Sequence, residues 1–138
     1  MTSAEPVAIE GYASLFGLSD LAGDVVFAGA FQESLARKQT LPLLLDHDPR
    51  LVAGRWIEAA EDSRGLYVRG EIDAGARAAS LAQRRLREGV DGLSIGFVAK
   101  AQSKRPGGGR NLLQLELWEV SLVAFPMAPQ ARLARRRA

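Results

Sequence analysis

The chain has 138 residues, 47% hydrophobic and 25% charged, the balance of a globular domain that can bury a real core without staples. It has no cysteine, which excludes disulfides, thiolate metal sites and a cysteine nucleophile. Formal net charge is +2, but Arg132, Arg135, Arg136 and Arg137 crowd the C-terminal end; without those four positive charges the rest carries −2, so the basic character belongs to a tail and not to the body.

Length and composition suggest one domain, residues 1–131, followed by the basic tail 132–138. No apolar run approaches the roughly 18 residues a membrane span needs, and Met1 to Pro6 lacks the pattern of a signal peptide, so a cytoplasmic location without membrane contact is expected. A solvated, frayed end accounts for the tail. Contact with nucleic acid or an acidic partner is the alternative, ranked low because the body is near neutral.

In chain order, Val7 to Ala13 reads as a strand and Asp24 to Phe27 as a second short extended piece. Phe31 to Lys38 reads as a brief helix with Phe31 and Leu35 on one face. Leu41 to Leu45 is a continuous apolar run that fits a buried strand. Leu51 to Ala59 and Gly65 to Ile72 read as strands joined by a polar hairpin loop, the second alternating Leu66, Val68 and Gly70 with Tyr67, Arg69 and Glu71. Asp73 is placed to cap a helix over about Gly75 to Glu88, and Gly89 to end it. Leu93 to Ala101 and Leu112 to Phe125 are strands around a flexible loop, Ser103 to Arg110. Six or seven strands and two helices predict a mainly-β fold with helices attached (α+β), a barrel or a sandwich.

Three positions carry chemistry. Ser94 lies in Gly92-Leu93-Ser94-Ile95-Gly96, where Leu93, Ile95 and Phe97 face a core and Gly92, Ser94 and Gly96 face away. The small neighbours leave room for another backbone, such as a peptide substrate, to lie against the hydroxyl; a tight strand crossing would need the same small residues. The segment also fits the G-x-S-x-G nucleophile elbow of α/β-hydrolases. Three features argue against that fold: the chain is short, Phe97-Val98-Ala99 continues a strand instead of opening a helix, and the histidine precedes the serine.

His47 is the one histidine of the chain, so any histidine-dependent chemistry uses it. It follows the apolar run Leu43-Leu44-Leu45, in Asp46-His47-Asp48-Pro49, and Pro49 biases Asp48 to an extended conformation. Imidazole can take and return a proton near neutral pH. A turn histidine solvated between two acids fits as well. A metal site built on Asp46, His47 and Asp48 lacks a second histidine or cysteine to support it. Glu119 sits in the last strand on a face shared with Leu117, Ser121 and Val123. An acid there needs a partner, because unpaired burial costs several kcal/mol. An imidazolium formed during catalysis is one candidate, and Arg55 or Arg69 is the other. The Ser103–Arg110 loop lets the Ser94 and Glu119 strands pair as an antiparallel hairpin.

In order along the chain stand Gly11-Tyr12-Ala13-Ser14-Leu15-Phe16, Gly23-Asp24-Val25-Val26, Gly29-Ala30-Phe31, Leu45-Asp46-His47-Asp48-Pro49, Gly54-Arg55-Trp56 and Arg64-Gly65-Leu66-Tyr67-Val68. They close with Asp91-Gly92-Leu93-Ser94-Ile95-Gly96-Phe97 and Leu117-Trp118-Glu119-Val120-Ser121-Leu122-Val123. In these blocks, over nearly its whole length, the sequence resembles the prohead (capsid maturation) serine proteases of tailed phages, with relatives in prophages and gene transfer agents. The resemblance implies a closed β-barrel ringed by a few helices, similar to the herpesvirus assembly proteases. It implies Ser94 as nucleophile, His47 as base and Glu119 as third member, where the herpesvirus enzymes use a second histidine. No metal and no cofactor are expected. The implied substrates are the N-terminal segment of the major capsid protein, the scaffold and the protease itself, inside the assembling prohead in the bacterial cytoplasm. It also admits a homodimer. One departure is Pro126-Met127-Ala128-Pro129, where the family often continues Pro-Ala-Asn. The competing reading is a catalytically silent assembly module that binds capsid or scaffold protein.

Overall fold

The computed structural model describes residues 5–37 and 40–134. Seven strands and two short helices follow in the order β1 (Val7–Leu15), β2 (Val25–Val26), α1 (Gln32–Ala36), β3 (Leu41–Leu45), β4 (Asp48–Glu61), β5 (Gly65–Ile72), α2 (Ala79–Arg87), β6 (Gly92–Lys104) and β7 (Arg110–Val123). All seven strands join one curled sheet in the order β1-β5-β4-β3-β7-β2, with β6 on the other flank of β7. Pairing is antiparallel except where β2 and β3 run parallel to β7.

Apolar alternation builds the inside of the curl. Leu43, Leu45, Ala53, Leu66, Val68, Ile72, Leu93, Val120 and Leu122 are fully buried, and so are Ala30 and Phe31, which join the same core. Burial of this kind stabilises by about 25 cal/mol for each Å² of apolar surface taken from water. The Trp56 indole N–H, also inside, donates to the Val120 carbonyl at 3.0 Å, so its one polar atom is satisfied.

The sheet departs from the expected closed barrel: it is an open half-barrel. Closure would need a ladder between β1 and β6, and among the described residues none joins them. The seam is crossed instead by 131–134. Leu133 bridges to Gly11 of β1 and Arg132 to Gly92 of β6. The backbone N–H groups of Leu93, Leu133 and Ala134 donate to the carbonyls of Ala131, Asp91 and Glu10 at 2.8 Å each. A Cβ on Gly11 would collide with the Arg132 carbonyl oxygen, so only glycine lets the two backbones approach this closely.

Other boundaries move for local reasons. The β6–β7 hairpin reaches to Lys104 and Arg110, leaving a short Arg105–Gly109 turn in which Gly107, Gly108 and Gly109 all take positive φ. Helix α2 starts at Ala79, not Gly75, because the Asp73 side chain accepts from the Gly75 N–H (3.0 Å) and closes a turn there. Gly89, with φ +93°, ends α2 as expected. Arg135, Arg136 and Arg137 of the basic tail, and Lys38, lie outside the described residues. Arg132 is tied down by an ion pair to Asp91 at 2.7 Å.

Candidate active site

His47 sits in the two-residue turn between β3 and β4. Leu45 pairs with Asp48, and both intervening residues are left-handed, Asp46 at φ +53° and His47 at +60°. Two positive φ values in a two-residue loop define the type I′ hairpin, whose twist matches its flanking strands. Asp and His tolerate this region better than most side chains, but not without strain, so the turn needs support. It has three tethers. The Asp46 N–H donates to the Leu122 carbonyl at 3.3 Å. The His47 N–H donates to Ser121 Oγ at 2.9 Å. Arg85 Nη1 of α2 meets Asp46 Oδ2 at 2.7 Å.

Ser94 and Glu119 are on adjacent strands, as a hairpin requires. Ser94 is opposite Ser121 and Gly96 opposite Glu119, but the next pair is Phe97 with Leu117. Trp118 is therefore an extra residue, a β-bulge. The bulge corrects the assumption that Glu119 and Leu117 share a face. Leu117 is in the core, Trp118 is pushed 62% into solvent, and beyond it Val120 and Leu122 return to the core. Glu119 and Ser121 are thereby turned to the opposite side, toward His47.

The result is a continuous chain of hydrogen bonds. Ser94 Oγ is 3.0 Å from His47 Nε2. His47 Nδ1 is 2.5 Å from Glu119 Oε2. The other carboxylate oxygen, Oε1, accepts from Ser121 Oγ at 2.8 Å. An ionised carboxylate only accepts, so Nδ1 carries the ring proton and Nε2 presents its lone pair to the serine hydroxyl. Side-chain exposure rises along the chain, from 11% at Glu119 to 41% at His47, so the acid is buried and the base reachable. The hydrogen bond to Glu119 raises the imidazole pKa above its ordinary 6.5, against the opposing effect of partial burial.

The arginines considered as partners of Glu119 are engaged elsewhere: Arg55 with Glu71 (3.6 Å), Arg69 with Glu10 (2.9 Å) and Glu58 (3.8 Å). Asp46 and Asp48, the would-be metal ligands, are taken by Arg85 (2.7 Å) and Arg50 (2.9 Å).

Two features escaped the sequence reading. Ser121, fully buried, links the His47 backbone to the Glu119 carboxylate. Its signal was a second polar residue two positions from Glu119 in a run that is otherwise apolar. The glycines beside Ser94 also leave no free space. A Cβ on Gly96 would fall 2.7 Å from Glu119 Cδ and closer still to Oε2, and one on Gly92 would fall 2.7 Å from Pro126 Cδ. The room they provide is filled by the site and its support, not kept for a substrate backbone. A cleft between β1, the end of α2 and Ala134 contains none of the three site residues.

Both the sequence and the fold are similar to those of known proteins. The sequence matches the model of the family described as caudovirus prohead serine protease over residues 1–138. It is similar to the prohead protease of Enterobacteria phage HK97, 37% identical over 130 residues, which are 91% of this chain and 58% of that protein. The chain thus spans little more than half the length of this relative. The fold is similar to that of the bacteriophage T4 capsid assembly protease (TM-score 0.69, 13% identity, 84% of this chain and 80% of that one). It is similar again to the KSHV protease in complex with a hexapeptide phosphonate inhibitor (TM-score 0.62, 13% identity, 97% and 66%).

Proposed function

The chain belongs to the caudovirus prohead serine protease family, and on that premise we propose that it is a serine endopeptidase acting in capsid maturation, with Ser94, His47 and Glu119 as its working residues. The observation that carries the reading is the Ser94–His47–Glu119 hydrogen-bond chain, with the carboxylate buried, the imidazole exposed and the serine half-buried.

The chemistry follows from the geometry. His47 Nε2 takes the Ser94 proton as Oγ attacks a peptide carbonyl carbon. Glu119 holds the ring in the tautomer that leaves Nε2 free, and stabilises the imidazolium that forms. The imidazolium then gives its proton to the leaving amine nitrogen as the C–N bond breaks. Water, deprotonated by the same Nε2, hydrolyses the acyl-enzyme and regenerates Ser94. Backbone N–H groups would stabilise the oxyanion.

The substrates under this reading are the N-terminal segment of the major capsid protein, the scaffold and the chain itself, inside the assembling prohead. No described helix is long and apolar enough to cross a membrane. The test is co-expression with the capsid protein followed by mass spectrometry of the products. Ser94→Ala and His47→Ala abolish cleavage in a folded protein, and a fluorophosphonate probe labels Ser94. Cleavage by Ser94→Ala would refute the assignment. Capsid binding without labelling would favour a silent assembly module.

A further inference from the structure

The His47 turn is held from a direction that the proposed triad does not use. Helix α2 buries Ala79 and Ala82 against the sheet and ends at Gly89, three residues before β6 begins. Arg85 projects from its last turn to Asp46, the residue immediately before His47. The backbone around Arg85 is fixed, since its carbonyl accepts from the N–H groups of Glu88 (3.1 Å) and Val90 (2.9 Å). Arg85 and Ser94 therefore stand on one continuous α2–β6 segment that meets the turn at two points. Ser94 meets the imidazole at Nε2, and Arg85 grips the neighbouring carboxylate.

We infer that Arg85 is a positioning residue: its ion pair with Asp46 clamps the strained turn so that His47 reaches Ser94 and Glu119 together. The inference rests on the serine-protease reading above. The other two tethers hold only the backbone N–H groups of the turn, Asp46 to Leu122 (3.3 Å) and His47 to Ser121 (2.9 Å), and both its residues carry side chains where glycine would relax the backbone. The pair is partly exposed, at 27% for Arg85 and 51% for Asp46, so its effect on global stability is small. Its effect on geometry is concentrated at one residue from the base.

The charged groups facing His47 are Glu119 of β7, Asp46 of its own turn with Arg85 of α2, and Asp48 of β4, which Arg50 neutralises. Glu119 dominates the imidazole through its hydrogen bond; Asp46 contributes least. Loosening the turn therefore weakens the larger influence, whereas unmasking Asp46 strengthens only the smaller one.

His47 is the one histidine, so in the untagged 138-residue chain its imidazole titration is followed by NMR without overlap. Arg85→Met and Asp46→Asn each lower kcat about fivefold with KM unchanged, as the loss of one partly exposed ion pair would predict. The double variant loses no more than either single one. The imidazole midpoint falls in both single variants, and Arg85→Lys restores part of kcat. A midpoint that rises in Arg85→Met but falls in Asp46→Asn would mean that Arg85 acts only as a charge, which overturns positioning. Unchanged kcat and midpoint with a lowered Tm would make the pair merely structural and overturn it too. If Arg85→Met fails to fold, Asp46→Asn, which alters the more exposed partner, decides by kcat at a pH well above the midpoint, where the base is neutral: a fivefold loss supports positioning and an unchanged kcat overturns it. Fluorophosphonate labelling of the parent protein is scored first: failure to label Ser94 refutes the serine-protease reading, whereas labelling with unmoved kcat and midpoint refutes only the role of Arg85.

Discussion

Replacing Gly96 by alanine tests the site without touching any of its reacting atoms. The added methyl would lie 2.7 Å from Glu119 Cδ, against a normal separation of about 3.5 Å or more. The carboxylate must retreat by about 1 Å. The oxygen nearest the methyl, Oε2, is the one that holds His47 Nδ1 at 2.5 Å, so the retreat breaks or badly lengthens that bond. Misplacement on this scale costs on the order of 100-fold in rate. The expected result is a folded enzyme with kcat/KM down about 100-fold, KM little changed, and an imidazole midpoint moved back toward 6.5. Peptide-cleavage kinetics, far-UV circular dichroism and the histidine NMR titration measure these three quantities. Adding Gly96→Ala to Glu119→Gln should cost nothing further, because both delete one interaction. Near-parental kcat/KM in Gly96→Ala with an unmoved midpoint, or independent losses in the double variant, would refute the steric argument.

Other expectations concern the same hydrogen-bond chain and its surroundings. Because the folded His47 pKa is raised and the base must be neutral, kcat/KM should climb with pH through a midpoint above 6.5; Glu119→Gln should move that limb down and lower kcat about 10,000-fold, less than Ser94→Ala or His47→Ala does. Ser121→Ala leaves the His47 N–H and one Glu119 oxygen without their partner, and should cost about 1–3 kcal/mol in urea unfolding, with kcat reduced as well. Asp24, held below its ordinary carboxylate value by Arg110, should contribute stability that is complete above the unfolded pKa near 3.8 and is lost as pH falls through the lower folded value. Thermal melts of the parent protein and Asp24→Asn should therefore converge as pH drops below 4.

Period-two alternation fixed the strand at Gly65–Ile72, and a short apolar run fixed that at Leu41–Leu45, because both depend on local burial. Ser94 and His47 were legible for simple reasons: one is a hydroxyl flanked by glycines, the other the lone imidazole. The orientation of Glu119 was not. Alternation assumes an unbroken pleat, and the single extra residue at Trp118 inverts every face after it. The left-handed Asp46-His47 turn was hidden because neither residue is the glycine or asparagine that usually announces it. The open seam was hidden because closure depends on which distant strands share hydrogen bonds, and composition carries no record of that.

The segment that crosses the seam also imposes an order of events. Gly11 and Leu133 are far apart in sequence, so the loop they close encloses almost the whole described chain. During synthesis the β1–β5–β4 neighbours can pair as soon as Ile72 has emerged, but the strand bearing Ser94 gains its flank only after Ala134 has been made. The serine strand is therefore among the last parts to become rigid, and a chain still being translated carries an incomplete edge beside it.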